Sequence, residues 1–201
     1  MESGVQSHYN PPRMSTATSI EREIKLRFDS VEAAREAVLA TGATPLRCRR
    51  LQEDSLLDTE DESLRRRRCV LRIRVECGKS RITFKGPVQP SIMKVRDELE
   101  TVVGDGVLLV QVFEELGFHV WFRYQKYREE FSHDDVTVAI DETPVGVFVE
   151  LEGSEHGITA TAQALGVRPA DYVRDSYRGL FLQLRDTYGL TGPAMVFDPE
   201  E

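Results

Sequence analysis

Hydrophobic and polar positions alternate with a period of two along most of this chain. Over Ile20–Phe28, Ile20, Arg22, Ile24, Leu26 and Phe28 form one set, and Glu21, Glu23, Lys25 and Arg27 form the other. A β-strand directs such sets to opposite faces. Further on, Val70, Leu71, Ile73 and Val75 surround Arg72, Arg74 and Glu76, and Ile82 and Phe84 oppose Arg81, Thr83 and Lys85. Val95, Leu99 and Thr101 oppose Arg96, Glu98 and Glu100, and Lys126, Arg128 and Glu130 are spaced by two. Asp141 ends one run, and Val147, Val149 and Leu151 alternate with Phe148, Glu150 and Glu152. The pattern predicts strands at 20–28, 44–58, 69–77, 80–86, 95–103, 119–131, 134–141 and 146–152.

Between these strands the period changes. "DSVEAAREAVLATGA" reads as a helix with Asp29 or Ser30 at its N-cap, an apolar stripe of Val31, Ala34, Val38 and Leu39, and Gly42 as its stop. "GDGVLLVQVFEELGF" reads as a second helix closed by Gly117. Two more are predicted over 158–165 and 169–188, the latter carrying Tyr172, Val173, Leu180, Phe181 and Leu184. Residues 1–18 lack apolar periodicity and are expected to form a disordered tail. The structured domain spans 19–189, and 190–201 is expected to be a loose tail.

The polar sets are almost entirely charged. For one strand a solvated outer face explains that. For nearly every strand a closed antiparallel barrel explains it better: the apolar face lies outside under the helices, and the charged face lines a tunnel. The expected fold is therefore α+β, an eight-stranded barrel with helices packed outside. Burying so many charges is costly unless opposite charges or ligands compensate them. Bases (Lys25, Arg27, Arg72, Arg74, Lys85, Arg96, Lys126, Arg128) and acids (Glu21, Glu23, Glu98, Glu100, Asp141, Glu150, Glu152) are near balance. Such a lining suits a polyanion held with a hard divalent cation, phosphate oxygens going to the bases and metal to the carboxylates.

Composition narrows the function. The 201 residues carry a net charge of −8, with 30% charged and 40% hydrophobic residues. That balance argues against bulk binding to nucleic acid or an acidic membrane, and no apolar run is long enough to span a bilayer. The three cysteines (Cys48, Cys69, Cys77) lack metal-ligand spacing and are expected to be reduced, in a cytoplasmic protein. His8, His119, His133 and His156 are scattered, and no glycine-rich phosphate loop is present. The run Arg65–Arg68 is expected to be a solvated turn, and Trp121 beside Phe122 outer-face packing. Tyr177 either reaches the tunnel end or packs in the core.

Glu21-Arg22-Glu23-Ile24-Lys25 resembles the E-x-E-x-K signature of the CYTH superfamily, also called triphosphate tunnel metalloenzymes. Further matches follow in family order: "LLDTEDESLRRRRCVLRIR", "ITFKGP", "RDELE", "KYR", "IDETPVGVFVELEG" and "DSYRGL". The resemblance runs from Ser19 to Tyr188. It implies that Glu21, Glu23, Glu150 and Glu152, with Asp141, bind Mg²⁺ or Mn²⁺. Lys25, Arg72, Arg74, Lys85, Lys126 and Arg128 grip a triphosphate, and Lys126 is the candidate catalytic residue. Glu98 and Glu100 either hold a second metal and position water or pair with tunnel bases. The implied reaction is hydrolysis of an inorganic, thiamine or nucleoside triphosphate. The alternatives are a class IV adenylyl cyclase making cyclic AMP and pyrophosphate, and a polyphosphate-binding module without turnover. The partner is a small-molecule triphosphate, not nucleic acid or membrane, and a homodimer is left open.

Overall fold

The computed structural model describes residues 19–198. The expected N-terminal tail and the last three residues lie outside them. In chain order the first elements are β1 (Ser19–Phe28), α1 (Val31–Ala40), β2 (Thr44–Thr59), α2 (Ser63–Arg66), β3 (Val70–Glu76) and β4 (Lys79–Lys85). Then come β5 (Lys94–Val103), α3 (Gly106–Glu115), β6 (Phe118–His133), β7 (Val136–Thr143), β8 (Gly146–Glu152), α4 (Glu155–Ala164) and α5 (Tyr177–Leu184). The strands close into one barrel ordered β1-β5-β4-β3-β2-β6-β7-β8, and every pairing is antiparallel. Closure leaves no sheet edge and separates the two sets of each strand completely.

The apolar sets pack outward under helices. Ile24 and Leu26 of β1, Val138 and Ile140 of β7, and Val149 and Leu151 of β8 meet Ala34 and Val38 of α1 and Ile158 and Ala162 of α4. Leu57, Leu71 and Ile73 pack beneath Leu109, Val110 and Phe113 of α3. Each fully buried side chain of this size contributes about 1.5–3 kcal/mol, and together they offset the cost of the charged interior. The helices start where side chains satisfy their first amides: Ser30 accepts from Ala33 N (3.1 Å), Asp105 from Leu108 N (2.9 Å), Ser154 from Gly157 N (2.9 Å) and Ser176 from Gly179 N (3.1 Å).

Inside, register sets charge against charge. Glu21 lies opposite Arg96 and Glu23 opposite Lys94, Lys25 opposite Glu150, Asp54 opposite Arg74, Lys85 opposite Glu98, and Arg128 opposite Asp141. Opposed charges favour a pairing and like charges disfavour it. Like charges also meet: Glu23 faces Glu152, Arg50 faces Arg128 and Arg74 faces Arg81.

The structure departs from the sequence expectations in four places. Leu39, expected in the buried stripe of α1, is exposed. The interior is not charged throughout: Leu56, Phe122, Tyr124 and Phe148 cluster with Tyr177, Leu180 and Phe181 of α5. The helix expected over 169–188 is broken. Val173 and Lys25 exchange both backbone hydrogen bonds (3.0 and 2.9 Å), so this stretch continues the sheet beside β1, and α5 begins only after Ser176. Finally, the segment beyond Gly189 is not loose up to residue 198. Met195 is fully buried and bonds backbone to backbone with Arg123 and Gln125 of β6.

Candidate functional site

The barrel encloses a cavity of about 750 Å³. Glu21, Glu23, Lys25, Arg72, Arg74, Lys85, Lys126, Arg128, Glu150 and Glu152 line it. Of the expected metal and phosphate residues, Asp141 alone does not. Lys25 and Lys126 are only 2% exposed, so these charges depend on one another rather than on water.

Three clusters organise the lining. Glu21 accepts from Lys85 and Arg96, the latter at 3.1 Å. Glu23 pairs with Lys25 (3.1 Å) and Lys94, and Lys25 also pairs with Glu150 at 3.1 Å. Asp141 accepts from Lys126 (2.8 Å), from both Arg128 Nε and Nη2 (2.6 Å each) and from Tyr177 Oη. Arg128 Nη2 also reaches Glu150 at 2.8 Å. A fifth acid, Asp54, accepts from Arg74 at 2.9 Å and lies 3.4 Å from Arg72 Nε. That Nε is buried and makes no hydrogen bond among the described residues. It is a donor in want of an acceptor.

Proton affinities follow from these contacts. Burial lowers Lys126, Arg128 adds to it, and the two overcome Asp141 and Glu150 to leave the ammonium at about 7. Lys94 is held down at about 8, by burial first and then by Lys25 and Arg96, against the pull of Glu23. Lys25 moves the other way, because Glu150 and Glu23 outweigh its burial. Burial opposes ionisation of Asp141 and Glu150, yet Arg128 and the lysines keep both low. Glu152 is pushed up to about 7 by burial and then by Glu21 and Glu150. No basic side chain pairs with it among the described residues.

Glu152 therefore bears on whether a hard cation fits here. The donors are carboxylate oxygens, the chemistry Mg²⁺ and Mn²⁺ prefer. The crowding of Glu152 against Glu21, Glu23 and Glu150 is relieved by positive charge. Among the described residues no three acidic or other ligating side chains are already gathered into a metal site, because lysines hold most of these oxygens. A cation would compete with Lys25, Lys85 and Lys94 for them. Asp141 is different: it is completely buried and its oxygens are taken by Lys126, Arg128 and Tyr177. In this structure it fixes those side chains. Glu98 pairs with Lys85 (2.7 Å) and Glu100 with Arg81 (2.6 Å). Arg27 lies outside the cavity, donating to Tyr188 Oη at 3.0 Å, while Arg96 lines it.

Several site residues escaped the sequence reading. Lys94 extends the alternation of Arg96, Glu98 and Glu100 by one step, and Asp54 belongs to the series Arg50, Gln52, Asp54, so the period was present for both. Arg65 was assigned to a solvated turn, yet it lines the cavity. Completely buried Asp58 accepts from the amides of Thr59, Leu64 and Arg65 (2.9–3.0 Å) and from Arg65 Nε (3.2 Å), and so folds α2 against the barrel. Replacing Asp58 with alanine orphans these donors and is expected to cost about 1–3 kcal/mol, read as a lowered urea midpoint.

Residues 19–177 match the CYTH domain family. The chain belongs to that family. A protein of Methanocaldococcus jannaschii carrying the name "Putative adenylate cyclase" is 31% identical over 175 residues, which cover 80% of this chain and 99% of that one. A Pyrococcus horikoshii protein of solved structure is 26% identical with a TM-score of 0.69, over 80% of this CYTH chain and 98% of its own. At 17% identity the fold alone is shared with a Hippeastrum protein, with a TM-score of 0.61 over 82% of this chain and 95% of that one; its structure is described as revealing a dominant triphosphatase activity. No helix among the described residues of this CYTH protein is long and apolar enough to cross a membrane.

Proposed function

We propose that this CYTH protein binds a triphosphate inside the barrel and hydrolyses it with Mg²⁺ or Mn²⁺. The observation that carries this is the buried cavity itself, in which ten charged side chains, six basic and four acidic (Lys25, Arg72, Arg74, Lys85, Lys126, Arg128; Glu21, Glu23, Glu150, Glu152), face one another. The whole lining is richer in bases than in acids, so it favours a polyanion, while its carboxylates suit a divalent cation bound beside it. Arg72 and Arg74 present planar donors to phosphate oxygens, and Lys25 and Lys85 act as point charges. The divalent ion, when bound to the carboxylates, supplies charge neutralisation on the phosphates. Lys126, held at about 7, is part neutral near neutrality and accepts the proton of the water that attacks the terminal phosphorus. Arg128 stays charged beside it and stabilises the leaving diphosphate. The alternative, cyclisation of ATP to cyclic AMP and pyrophosphate, is favoured by the name of the Methanocaldococcus relative. Product analysis after incubation with ATP and a divalent ion separates them: orthophosphate with ADP, or diphosphate with AMP, means hydrolysis, and cyclic AMP with pyrophosphate means cyclisation.

Glu152 gives the sharpest check of the metal. Because its pKa is raised, the stability it contributes is present below the ordinary carboxylate pKa and is lost as pH rises through about 7. Glu152→Gln removes that loss. The metal-free variant is expected to melt no lower than the parent above neutral pH, while the Mn²⁺ concentration for half-maximal activity rises by at least about tenfold, the loss that follows even removal of a ligand's outer partner. Unchanged metal dependence would remove Glu152 from the ligand set.

A further inference from the structure

The cavity continues past the charged lining to a mouth that the triphosphate chemistry does not use. Trp121, Arg65, Arg68 and Arg178 line it. Trp121 owes its position to an irregularity of the sheet. Leu56 pairs with Phe122 and the next residue, Leu57, pairs with Val120, so Trp121 is the extra residue in β6. A bulge of this kind turns a side chain away from the face its parity dictates. It delivers the indole to the mouth instead of the outer surface. There two guanidinium groups lie over it, Arg65 of α2 at 4.5 Å and Arg178 of α5 at 4.8 Å from the ring centroid.

The two arginines differ. Arg65 is anchored to Asp58 (3.2 Å) and Glu62 (2.9 Å). Arg178 is half-buried and has no carboxylate within ion-pairing distance among the described residues. It is therefore the replaceable partner of the indole, and the one with charge to offer an incoming anion. A cavity of about 750 Å³ is in the range that encloses a whole drug-sized ligand, roughly 300–1,000 Å³. Room remains beyond a bare phosphate chain.

We propose that this mouth binds the nucleobase of a nucleoside triphosphate, and that Trp121 is the residue that selects such a substrate over inorganic tripolyphosphate and thiamine triphosphate. The proposal rests on the triphosphate reading of the tunnel. A planar base stacks on the indole in the place of the Arg178 guanidinium, and Arg178 turns to the phosphate next to the sugar. Arg65, Arg68 and Arg178 make the mouth cationic, so it repels the positively charged thiazolium of thiamine and accepts a neutral purine.

The chain has one tryptophan, so intrinsic fluorescence reports this mouth alone in the unaltered protein. ATP with Mg²⁺ is expected to quench the emission saturably after correction for absorbance. Tripolyphosphate should displace ATP while leaving the emission of the free protein in place. In kinetics, Trp121→Ala should raise KM for ATP by about tenfold or more, the effect of losing one base–aromatic stack. KM for tripolyphosphate should stay within about twofold, and Trp121→Phe should keep most of the ATP preference. If ATP and tripolyphosphate compete but the emission is unmoved, or Trp121→Ala affects both substrates equally, Trp121 is only a latch between α5 and the barrel and the subsite is wrong, with the triphosphate site intact. A wild-type preference for thiamine triphosphate also overturns it. If neither ATP nor tripolyphosphate binds, the triphosphate reading falls and takes the subsite with it.

Discussion

Replacing Lys126 with alanine is expected to lower kcat by about two to four orders of magnitude with little change in KM, the loss that follows removal of a positioned general base. The structure gives the reason. Lys126 is buried beside Arg128, which lowers its proton affinity, and its Nζ is fixed by Asp141 at 2.8 Å under the ring of Tyr177, whose centroid lies 4.7 Å away. The sign with pH follows. Below about 7 the ammonium is protonated and cannot accept a proton, and above it the neutral amine can. Since kcat/KM reports the free enzyme, its profile should rise with pH through about 7 in the wild type and lose that limb in Lys126→Ala. A variant that raises KM and leaves kcat alone would make Lys126 an ordinary phosphate contact.

Asp141→Ala is expected to be the most destabilising single change in the site, at about 3–5 kcal/mol, because it strips a buried anion from Lys126 and Arg128 at once. Glu150 still holds Arg128 at 2.8 Å, whereas among the described residues Lys126 has only Asp141 as an ion-pair partner. Part of the loss should return in the double variant Asp141→Ala with Lys126→Met, which removes the buried amine left without its acceptor. Denaturant midpoints of the single and double variants measure this. A loss under about 1 kcal/mol in the single variant would mean that water reaches the site and screens it as it does an exposed pair.

Much of the barrel was legible because one period, repeated on strand after strand, had no other economical explanation. The opposing charges of β1, β3, β4, β6 and β8 entered the same cavity as expected. What escaped was set by contacts that a strand pattern does not encode. Asp141 follows the parity of the acids, yet it does not line the cavity and accepts from Tyr177 of α5. Trp121 violates its parity because β6 carries an extra residue against β2. The stretch around Val173 has apolar helical spacing, yet its backbone bonds Lys25 where β5 leaves β1. In each case a long-range partner overrode local periodicity.

On the proposed function the triphosphate lies inside the barrel. A crystal structure of the protein grown with tripolyphosphate and Mn²⁺ tests it most directly. Phosphate density is expected enclosed by Arg72, Arg74, Lys126 and Arg128, with an anomalous Mn²⁺ peak against the carboxylates of Glu21, Glu23, Glu150 and Glu152. Phosphate bound on the outer surface, or an empty barrel at saturating ligand, would contradict it.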